Sequence, residues 1–373
     1  MTGRRVLFVQ PTAERYGGDK ALLLLAGGLA ERGWNIRVAL HEDGPLAADL
    51  DELGIAWEVV DSGAVRRVFG PADWARFLGF DLPRSARQLS RLARSAELVH
   101  VNSSVSLGGV LGGRLARRPV VLHVRESHAG HPRAWRAYAL LVGRRAARVI
   151  AISSAIAEEA RAAGLRDRTE LVHDGLSFSP RVERRPPSDH LRILAVGRLN
   201  DWKGHELLVD AVAQLRIRGI DARATIAGDI YPGQERIRDS LRAQIARLGL
   251  SEEVELPGFV DDVESLLTDA SVFVQASRRP EPFGLALAEA MAHGVPCVAT
   301  AHGGPMDLID AGVTGLLVPP ASSRAIAAAV EELARDPARR EAMGEASATA
   351  VRARFSIERT IDAVDRIYRA VLG

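Results

Sequence analysis

Residues 271–300, SVFVQASRRPEPFGLALAEAMAHGVPCVAT, contain two apolar runs separated by a proline-containing loop and an Ala- and Leu-rich segment. The runs at 271–275 and 295–299 are short and apolar on both faces, which predicts buried strands of a parallel sheet. The segment 284–293 predicts the crossover helix that joins two parallel strands. This stretch therefore predicts one strand–helix–strand unit of an α/β fold.

The same alternation runs through the whole chain and forms two series. A proline- and charge-rich stretch without periodicity, 179–190, predicts a linker between them. We expect two Rossmann-like, doubly wound domains facing across a cleft, at 1–182 and 183–355, followed by a C-terminal helix at 356–373 that could cross back to the first domain. Strands are predicted at 5–9, 36–40, 55–60, 97–101, 119–124, 147–152, 169–173, 191–196, 223–227, 253–256, 271–275, 295–299 and 315–318; helices at 18–32, 84–94, 104–117, 133–145, 154–163, 204–218, 233–248, 284–293, 322–334, 337–353 and 356–371.

Composition predicts the compartment. The single cysteine, Cys297, lies in an apolar run, so no disulfide framework is expected. The apolar run VLFV near the N-terminus is too short for the core of a signal peptide, and no window approaches a membrane span. We therefore expect a soluble, cytoplasmic protein.

Charge is unevenly distributed along the chain. The net charge is +2, but residues 1–185 hold 28 basic and 20 acidic residues, which suggests an anionic partner. Peripheral contact with an anionic membrane at its inner face is one interpretation, and a solvated face of an arginine-rich protein is the other. No nucleic-acid-binding module is recognisable. The basic positions concerned are Arg84, Arg87, Arg91 and Arg94 on one helical face, after Trp74, Phe77, Leu78 and Phe80, and the basic segment 133–145.

An anion site is predicted after the first strand of the second series, in VGRLNDWKG. Gly197 ends the strand, Arg198 and Lys203 flank a tight loop, and Gly204 opens a helix whose N-terminal amides can bind an anion. Two ordinary surface cations are the alternative interpretation. The loop is not a Walker motif, and the absence of GxGxxG after either first strand disfavours an NAD-dependent oxidoreductase.

Two further patterns point to ligand binding. In the first series, Gly17 and Gly18 precede a helix and could allow a phosphate to approach the backbone, although two adjacent glycines are also common in ordinary loops. In the second series, Glu281 follows a buried strand and Glu289 lies within an apolar helix, where a carboxylate is costly unless it is paired. A sugar or ribose diol would be a suitable partner, and a solvent-facing glutamate is the alternative.

These motifs together resemble the family 4 retaining glycosyltransferases of the GT-B fold. In the second series the resemblance covers nearly the whole domain, with the expected order and spacing. The first series is similar more loosely, through its GG loop and the segments ELVHVNSS, VVLHVRE, AISSAIAEE and VHDGL. The matching segments of the second series are GRLNDWKG (197–204), IAGD (226–229), PGFV (257–260), EPFGLALAEAMAHGVPCVAT (281–300), GGPMDLI (303–309) and GLLVP (315–319).

The resemblance implies a role for each matching residue. Arg198 and Lys203 would hold the diphosphate of a nucleotide-sugar donor, and Glu289 would bind its ribose. Glu281 would hold the donor sugar together with the amides of Phe283, Gly284 and Leu285. Gly18 would face the diphosphate from the first domain. The implied catalytic residues are Glu281, Arg198 and Lys203, and the implied donor site is completed by Gly17, Gly197 and Gly228.

Three positions depart from the family pattern. Asp174 stands where Asn is common, Asp307 where Glu is usual, and Arg125-Glu126 where the family commonly has His-Asp or a similar pair. The last position usually contacts acceptor or donor sugar, so we regard the acceptor side as the less defined part of the site. Its candidate residues are His123, Arg125, Glu126 and His128, although a lone histidine beside a strand is more often structural.

The predicted function is transfer of a sugar, with retention, from a nucleoside diphosphate sugar to a hydroxyl of a glycan, a lipid-linked or a small-molecule acceptor. The resemblance favours UDP-sugar as the donor, and no cofactor or metal is expected. Front-face attack with a donor phosphate as the base is preferred to a glycosidase-like role for the two glutamates. The alternatives are a phosphorylase or epimerase of the same fold, and a nucleotide-sugar-binding protein without turnover.

Overall fold

The computed structural model describes residues 3–65, 70–178 and 189–373. It divides into two compact units, of which the first runs to Ser177 and takes in Phe355–Gly373, while the second is Phe178–Arg354. Most of the predicted linker, residues 179–188, lies outside the described residues.

The first unit is built on a seven-stranded parallel sheet with the order β3-β2-β1-β4-β5-β6-β7. Strands β1, β4, β5 and β6 carry side chains that are buried on both faces, as the short apolar runs predict, whereas no residue of the edge strand β3 is buried. The strands are β1 (Arg5–Gln10), β2 (Asn35–Leu40), β3 (Ala56–Val59), β4 (Leu98–Val101), β5 (Val120–Val124), β6 (Arg148–Ala151) and β7 (Thr169–Leu171).

Helices connect these strands, and the last helix of the chain also belongs to this unit. They are α1 (Gly17–Glu31), α2 (Pro45–Glu52), α3 (Pro71–Arg76), α4 (Leu82–Ala93), α5 (Leu107–Leu115), α6 (Pro132–Leu141), α7 (Ser154–Ala160) and α15 (Ile357–Leu372). Two π turns, Phe77–Asp81 and Arg161–Leu165, continue α3 and α7, and 3₁₀ turns cover Gly143–Arg145 and Arg166–Arg168.

The second unit is also built on a parallel sheet, which has six strands in the order β10-β9-β8-β11-β12-β13. The strands are β8 (Leu191–Val196), β9 (Ala222–Ala227), β10 (Val254–Gly258), β11 (Val272–Gln275), β12 (Cys297–Thr300) and β13 (Leu316–Val318). The helices are α8 (His205–Ile217), α9 (Glu235–Arg247), α10 (Val263–Asp269), α11 (Leu285–Ala292), α12 (Pro305–Leu308), α13 (Ser323–Arg335) and α14 (Pro337–Arg354).

Helix α15 packs against α1 within the first unit. Gly28 of α1 permits this approach, because a Cβ there would lie 2.1 Å from Cδ1 of Ile361. Ser356 is the N-cap of α15, although its side chain makes no capping hydrogen bond. Tyr368, near the end of the helix, is fully buried.

Every predicted strand is present, and the prediction of two parallel α/β sheets is confirmed. The sequence analysis did not predict α2, α3, α10 or α12. These helices have four to eight residues, which is too short for a helical repeat of apolar positions to stand out. Within the described residues, none of the helices is long and apolar enough to cross a membrane.

Candidate active site

In each sheet the strand order reverses beside the first strand, and ligands of such folds bind outside the carboxyl ends of the strands at this reversal. In the second unit the reversal lies between β8 and β11, which are hydrogen-bonded neighbours. The loop 197–204 leaves β8 there, and the loop 276–284 leaves β11. The two strongest sequence motifs are therefore adjacent.

The loop after β8 has a backbone that only glycine fits at both ends. Gly197 has a φ of +150° and Gly204 a φ of +70°, and a Cβ on Gly204 would lie 2.1 Å from the carbonyl oxygen of Ala276. Between them, Oδ1 of Asn200 accepts hydrogen bonds from the amides of Trp202 and Lys203, at 3.2 and 2.9 Å. This side-chain turn fixes the backbone that carries Lys203.

Lys203 and Glu281, predicted from separate motifs, form an ion pair. Nζ of Lys203 lies 2.8 Å from Oε2 of Glu281, and both side chains are largely buried. Oγ of Ser277 donates a second hydrogen bond to the same carboxylate oxygen, at 2.9 Å. A charge-assisted pair with an additional donor compensates the cost of burying a carboxylate at this position.

Arg198 is buried beside the same loop. Its guanidinium carbon lies 3.7 Å from the centre of the Tyr231 ring, an arrangement that suits a planar cation. Its backbone carbonyl lies 3.4 Å from Nε2 of His205 at the start of α8. Burial lowers the pKa of His205 to about 4, so its imidazole is neutral at pH 7 and leaves Arg198 and Lys203 as the cations of this loop.

Two glycines lock the loop that carries Glu281. The amide of Gly304 donates to the carbonyl of Glu281 at 2.8 Å, and Gly303 pairs with Glu281 in a parallel bridge. A Cβ on Gly303 would lie 2.2 Å from the carbonyl oxygen of Glu281, and one on Gly304 would lie 2.1 Å from that of Phe283. The glycines after β12 therefore hold the Glu281–Phe283 backbone.

The remaining residues predicted to bind the donor substrate lie around these two loops. Gly284 caps α11 with a φ of +104°, so Leu285 begins the helix. Glu289 is half-buried on α11, and its carbonyl accepts a hydrogen bond from His293. Gly228 follows β9, where a Cβ would lie 2.1 Å from the carbonyl oxygen of Gly197.

The corresponding edge of the first unit contains a chain of buried polar side chains. Nε of Arg125 donates to Asn102 at 2.8 Å, Asn102 donates to Gln10 at 2.7 Å, and Gln10 donates to Asp19 at 2.7 Å. Thr12 also donates to Asp19, at 2.6 Å. Burial raises the pKa of Asp19 to about 6, despite these hydrogen bonds.

Two of the three departures from the family pattern are partners of each other. Nη1 of Arg125 contacts both carboxylate oxygens of Asp174, at 2.9 and 2.7 Å, and both side chains are more than nine-tenths buried. A buried guanidinium needs a fixed counter-charge, and an asparagine at position 174 would not supply one. The acid at this position is thus explained by the arginine at position 125.

Glu126 and His128 both contact the hydroxyl group of Ser104. Oγ of Ser104 lies 2.7 Å from Oε2 of Glu126 and 2.8 Å from Nε2 of His128, and Ser103 donates to the other oxygen of Glu126. His128 also stacks on Trp135, with ring centres 4.0 Å apart. Burial lowers the pKa of His128 against the opposing effect of neighbouring carboxylates.

His123 differs from the other three acceptor-side candidates. It is fully buried, and its Nδ1 lies 3.2 Å from Nε2 of His100, whose Nδ1 lies 2.6 Å from the hydroxyl of Tyr368. Burial lowers the pKa of both histidines, that of His100 to about 3. A lone histidine beside a strand is more often structural than functional, and His123 fits this interpretation. Its imidazole belongs to the core under α15.

Gly17 and Gly18 form the first turn of α1, where backbone amides have no acceptor within the helix. A Cβ at Gly18 would meet nothing within 4 Å, so its surroundings are open. The buried Asp19 is the next residue, on the inner side of the same turn.

Sequence analysis missed Gln10, Asn102 and Ser277, which complete these networks. Each one lies at the end of a buried strand or within two residues after it: LFVQ, VHVN and FVQAS. A polar residue at the carboxyl end of a buried strand is the signal that could have found them, because the loops that leave neighbouring parallel strands meet at that edge of a sheet. Asp174 and Tyr231 have no such signal, since their partners are distant in sequence.

The geometry defines an α/β protein in which cations lie on glycine-containing loops at the switch point of the second sheet. The glycosyl transferases group 1 family model matches residues 180–349, and the glycosyl transferase 4-like domain matches residues 17–175. The chain belongs to this family, and its identification as a family 4 glycosyltransferase is confirmed.

Curated relatives match part of the chain. The lipopolysaccharide core biosynthesis mannosyltransferase LpcC of Rhizobium leguminosarum bv. viciae is 32% identical over 50% of this chain and 53% of its own length. The alpha-D-kanosaminyltransferase of Streptomyces kanamyceticus is 35% identical over 51% of this chain and 48% of its own. The chain thus spans about half the length of the curated relatives it matches.

Solved structures match along the whole chain and confirm the GT-B fold. Anabaena HepE in complex with UDP and glucose has a TM-score of 0.85 and 26% identity, covering 98% of this chain and 99% of its own. The lipopolysaccharide outer core galactosyltransferase WaaB has a TM-score of 0.74 over 98% of this chain and 99% of its own; at 16% identity this likeness shows the fold alone.

Proposed function

We propose that the protein is a retaining glycosyltransferase that moves a sugar from a UDP-sugar to a hydroxyl of a glycan, glycolipid or small-molecule acceptor in the cytoplasm. One observation carries the donor assignment: the Lys203–Glu281 pair joins the two loops at the switch point of the second sheet. The full-length likeness to HepE, whose structures contain UDP, UDP-glucose or glucose, supports the choice of UDP.

In this proposal Arg198 and Lys203 bind the donor's diphosphate. During transfer the bond between the anomeric carbon and the phosphate oxygen breaks, and its electron pair stays on the diphosphate. Two fixed cations stabilise the charge that develops there, and their preorganisation by Asn200 and Tyr231 avoids reorganisation during the reaction. Glu289 is assigned to the ribose hydroxyls, and the amides at the start of α11 to the donor sugar.

Glu281 has two tasks. It keeps Lys203 oriented through the 2.8 Å contact, and its remaining oxygen is available to accept hydrogen bonds from donor hydroxyls. The acceptor oxygen then bonds to the anomeric carbon on the face that the diphosphate leaves, and its proton passes to a phosphate oxygen. This route retains the configuration and uses no protein nucleophile.

The first unit supplies the acceptor side. We assign Arg125, Glu126 and His128 to it, since they lie at or just beyond the carboxyl end of β5 and are held by Asp174 and Ser104. Glu126 and His128 present hydrogen-bonding groups suited to sugar hydroxyls. His123 is not included, because it is enclosed in the core.

The test is an assay of the purified protein with a panel of nucleotide sugars and simple hydroxyl acceptors, in which NMR follows the anomeric proton of the product. The expected result is a product with the donor's configuration and release of a nucleoside diphosphate. An inverted product would contradict the mechanism. Phosphorolysis or epimerised nucleotide sugar would favour the corresponding alternative, and tight binding without turnover would favour a binding protein.

A further inference from the structure

The hydrogen-bonded chain at the carboxyl edge of the first sheet crosses three neighbouring strands. Gln10 ends β1, Asn102 directly follows β4 and Arg125 directly follows β5, and these strands are adjacent in the sheet. Asp19, in the first turn of α1, lies at the other end of the chain. We call Asp19, Gln10 and Asn102 the relay, because hydrogen bonds connect them in that order to Arg125.

The relay is enclosed by the fold. Gln10, Asn102 and Asp19 are 2%, 1% and 3% accessible, and none of their side-chain nitrogen and oxygen atoms is both buried and without a hydrogen-bond partner. Buried polar side chains are costly unless every group is satisfied, and apolar residues of similar volume could fill the same space without that cost. Packing alone therefore does not require these residue types at this edge.

The two charged ends fix the direction of every hydrogen bond in the relay. A guanidinium can only donate, so Nε of Arg125 requires the carbonyl oxygen of the Asn102 amide, which lies 2.8 Å away. An ionised carboxylate can only accept, so Asp19 requires the amino group of Gln10, at 2.7 Å. The remaining bond then runs from the Asn102 amino group to the Gln10 carbonyl oxygen, at 2.7 Å. Each amide of the relay thus has a single orientation.

Arg125 is held from two sides and keeps one nitrogen for a ligand. Nε is bonded to Asn102, and Nη1 contacts both carboxylate oxygens of Asp174. Nη2 makes no hydrogen bond with any described residue and is not enclosed, and the side chain remains 8% exposed. Because the two anchors fix the plane of the guanidinium, the N–H groups of Nη2 have a fixed direction at this edge.

The charge of Arg125 is already balanced, which limits the ligand that Nη2 suits. Asp174 cancels the charge of the guanidinium, and the neighbouring Glu126 accepts hydrogen bonds from Ser103 and Ser104 without a salt bridge to any described residue. A phosphate or carboxylate would find no net positive charge here. An uncharged oxygen, such as a sugar hydroxyl, needs only a well-placed donor, and Nη2 supplies one.

We propose that Gln10 and Asn102 are positioning residues of the acceptor site, which hold the Arg125 guanidinium so that Nη2 donates a hydrogen bond to an uncharged hydroxyl oxygen of the acceptor. The inference rests on the proposed glycosyltransferase function and adds to it the residues that orient Arg125 and the atom that contacts the acceptor. Asp19 is the fixed end of the relay, and Thr12, which donates to it at 2.6 Å, keeps its carboxylate in place.

The test measures kcat and the KM of each substrate, with UDP-glucose as donor and the methyl glycosides of glucose, galactose and mannose as acceptors. Asn102→Leu removes the bond to Arg125 with a side chain of nearly the same shape. It should raise KM for the acceptor about tenfold, as for a lost hydrogen bond to a charged group, and leave KM for the donor unchanged. The matched control is Thr169→Val, which removes another buried hydrogen bond of this unit, 2.8 Å to the carbonyl of Leu165, and should leave both KM values unchanged.

Two further variants show whether the relay acts through Arg125. Gln10→Met breaks the relay one step further away, so it should raise KM for the acceptor in the same direction but by less. Arg125→Lys keeps a charge beside Asp174 and removes Nη2, so adding Asn102→Leu to it should change KM for the acceptor no further. Unchanged acceptor KM in Asn102→Leu, an equal rise of KM for the donor, or full additivity with Arg125→Lys would overturn the inference.

A spectroscopic measurement tests the relay without any substrate. In protein labelled with ¹⁵N-arginine, the Nε–H resonance of Arg125 is assigned by its loss in Arg125→Lys. Its exchange with water should be slow in the unaltered protein and in Thr169→Val, and about tenfold faster in Asn102→Leu and Gln10→Met. Equal exchange in all four proteins would overturn the inference. Absence of sugar transfer by every protein, with this exchange pattern present, would contradict the proposed function while supporting the relay.

Discussion

The two sheets have the same strand order around the switch point, but the side chains at their carboxyl edges differ in charge. The second unit presents Arg198 and Lys203 around one buried acid, Glu281, while Asp201, Arg278 and Arg279 of the same two loops are exposed. The first unit presents Arg125 among carboxylates at positions 19, 126, 159 and 174.

In the proposed function, this difference lets one topology bind two substrates. The shared sheet brings loops together at its edge, and the residues in those loops decide what binds. A cationic edge suits a diphosphate, whereas an edge rich in carboxylates suits an uncharged ligand with many hydroxyl donors. Substitutions at each edge test whether the two edges have these separate roles.

The largest effect is expected at the cationic edge, from Arg198→Ala. Loss of the guanidinium removes stabilisation of the departing diphosphate and should lower kcat by about 10³-fold. Steady-state kinetics with the preferred donor measure this. The control is Arg247→Ala, an exposed arginine of α9, and a comparable loss in that variant would show that Arg198 has no special role.

A somewhat smaller loss of kcat is expected from Glu281→Gln. The amide cannot balance the charge of Lys203, so the pair that joins the two loops is broken and kcat should fall about 10²-fold or slightly more. A double-mutant cycle with Lys203→Gln should show strong coupling in kcat. Exposed Glu252→Gln serves as the control, and additive effects of the two substitutions would argue against the pair.

At the carboxyl edge of the first sheet, the raised pKa of Asp19 predicts that the free energy of unfolding depends on pH. Burial raises its folded pKa to about 6 from the ordinary 3.8, so folding favours the protonated form. Its contribution is most favourable below pH 4, declines as the pH rises from 4 to 6, and is a constant penalty of about 3 kcal/mol above that range.

Asp19→Asn should remove this dependence. Denaturant unfolding at several pH values should show the variant gaining about 2 kcal/mol relative to the unaltered protein between pH 4 and pH 7. Glu31→Gln, at the exposed end of the same helix, is the control. A stability difference between the Asp19 variant and the parent that stays constant with pH would contradict the assigned ionisation.

The smallest effect is expected from Asp174→Asn, which restores the residue common in the family. Arg125 would lose its bidentate partner and its orientation, so KM for the acceptor should rise about tenfold while the affinity for nucleotide stays unchanged. Acceptor kinetics and nucleotide titration measure the two quantities separately, with Asp167→Asn as an exposed control. Equal weakening of nucleotide binding would place Arg125 on the donor side.

Sequence alone predicted the fold because its signal is local. Each buried strand is a short apolar run, and each connecting helix of more than about two turns has its own periodicity. The motifs at the second edge were equally visible, since Gly197, Gly204, Gly303 and Gly304 mark backbone conformations or close approaches that the structure contains. Lys203 and Glu281 were both predicted, although their direct contact was not.

The first edge was less predictable because its interactions join distant residues. Arg125 and Asp174 were noted separately as departures, and only the sheet brings them together. His123 shows the opposite limit: the sequence suggested that the C-terminal helix could cross back, but it could not reveal that Tyr368 of α15 contacts its neighbour His100. Long-range packing decides both cases.

The most direct test of the central claim is calorimetric titration of the protein with UDP, comparing the unaltered protein, Arg198→Ala and Arg247→Ala. The account predicts that UDP binds the unaltered protein and the control alike, and that Arg198→Ala weakens binding by about tenfold or more, as expected for a lost charged hydrogen bond. Equal binding by all three proteins, or no binding of any nucleoside diphosphate, would contradict the assignment of the second sheet's edge to the donor.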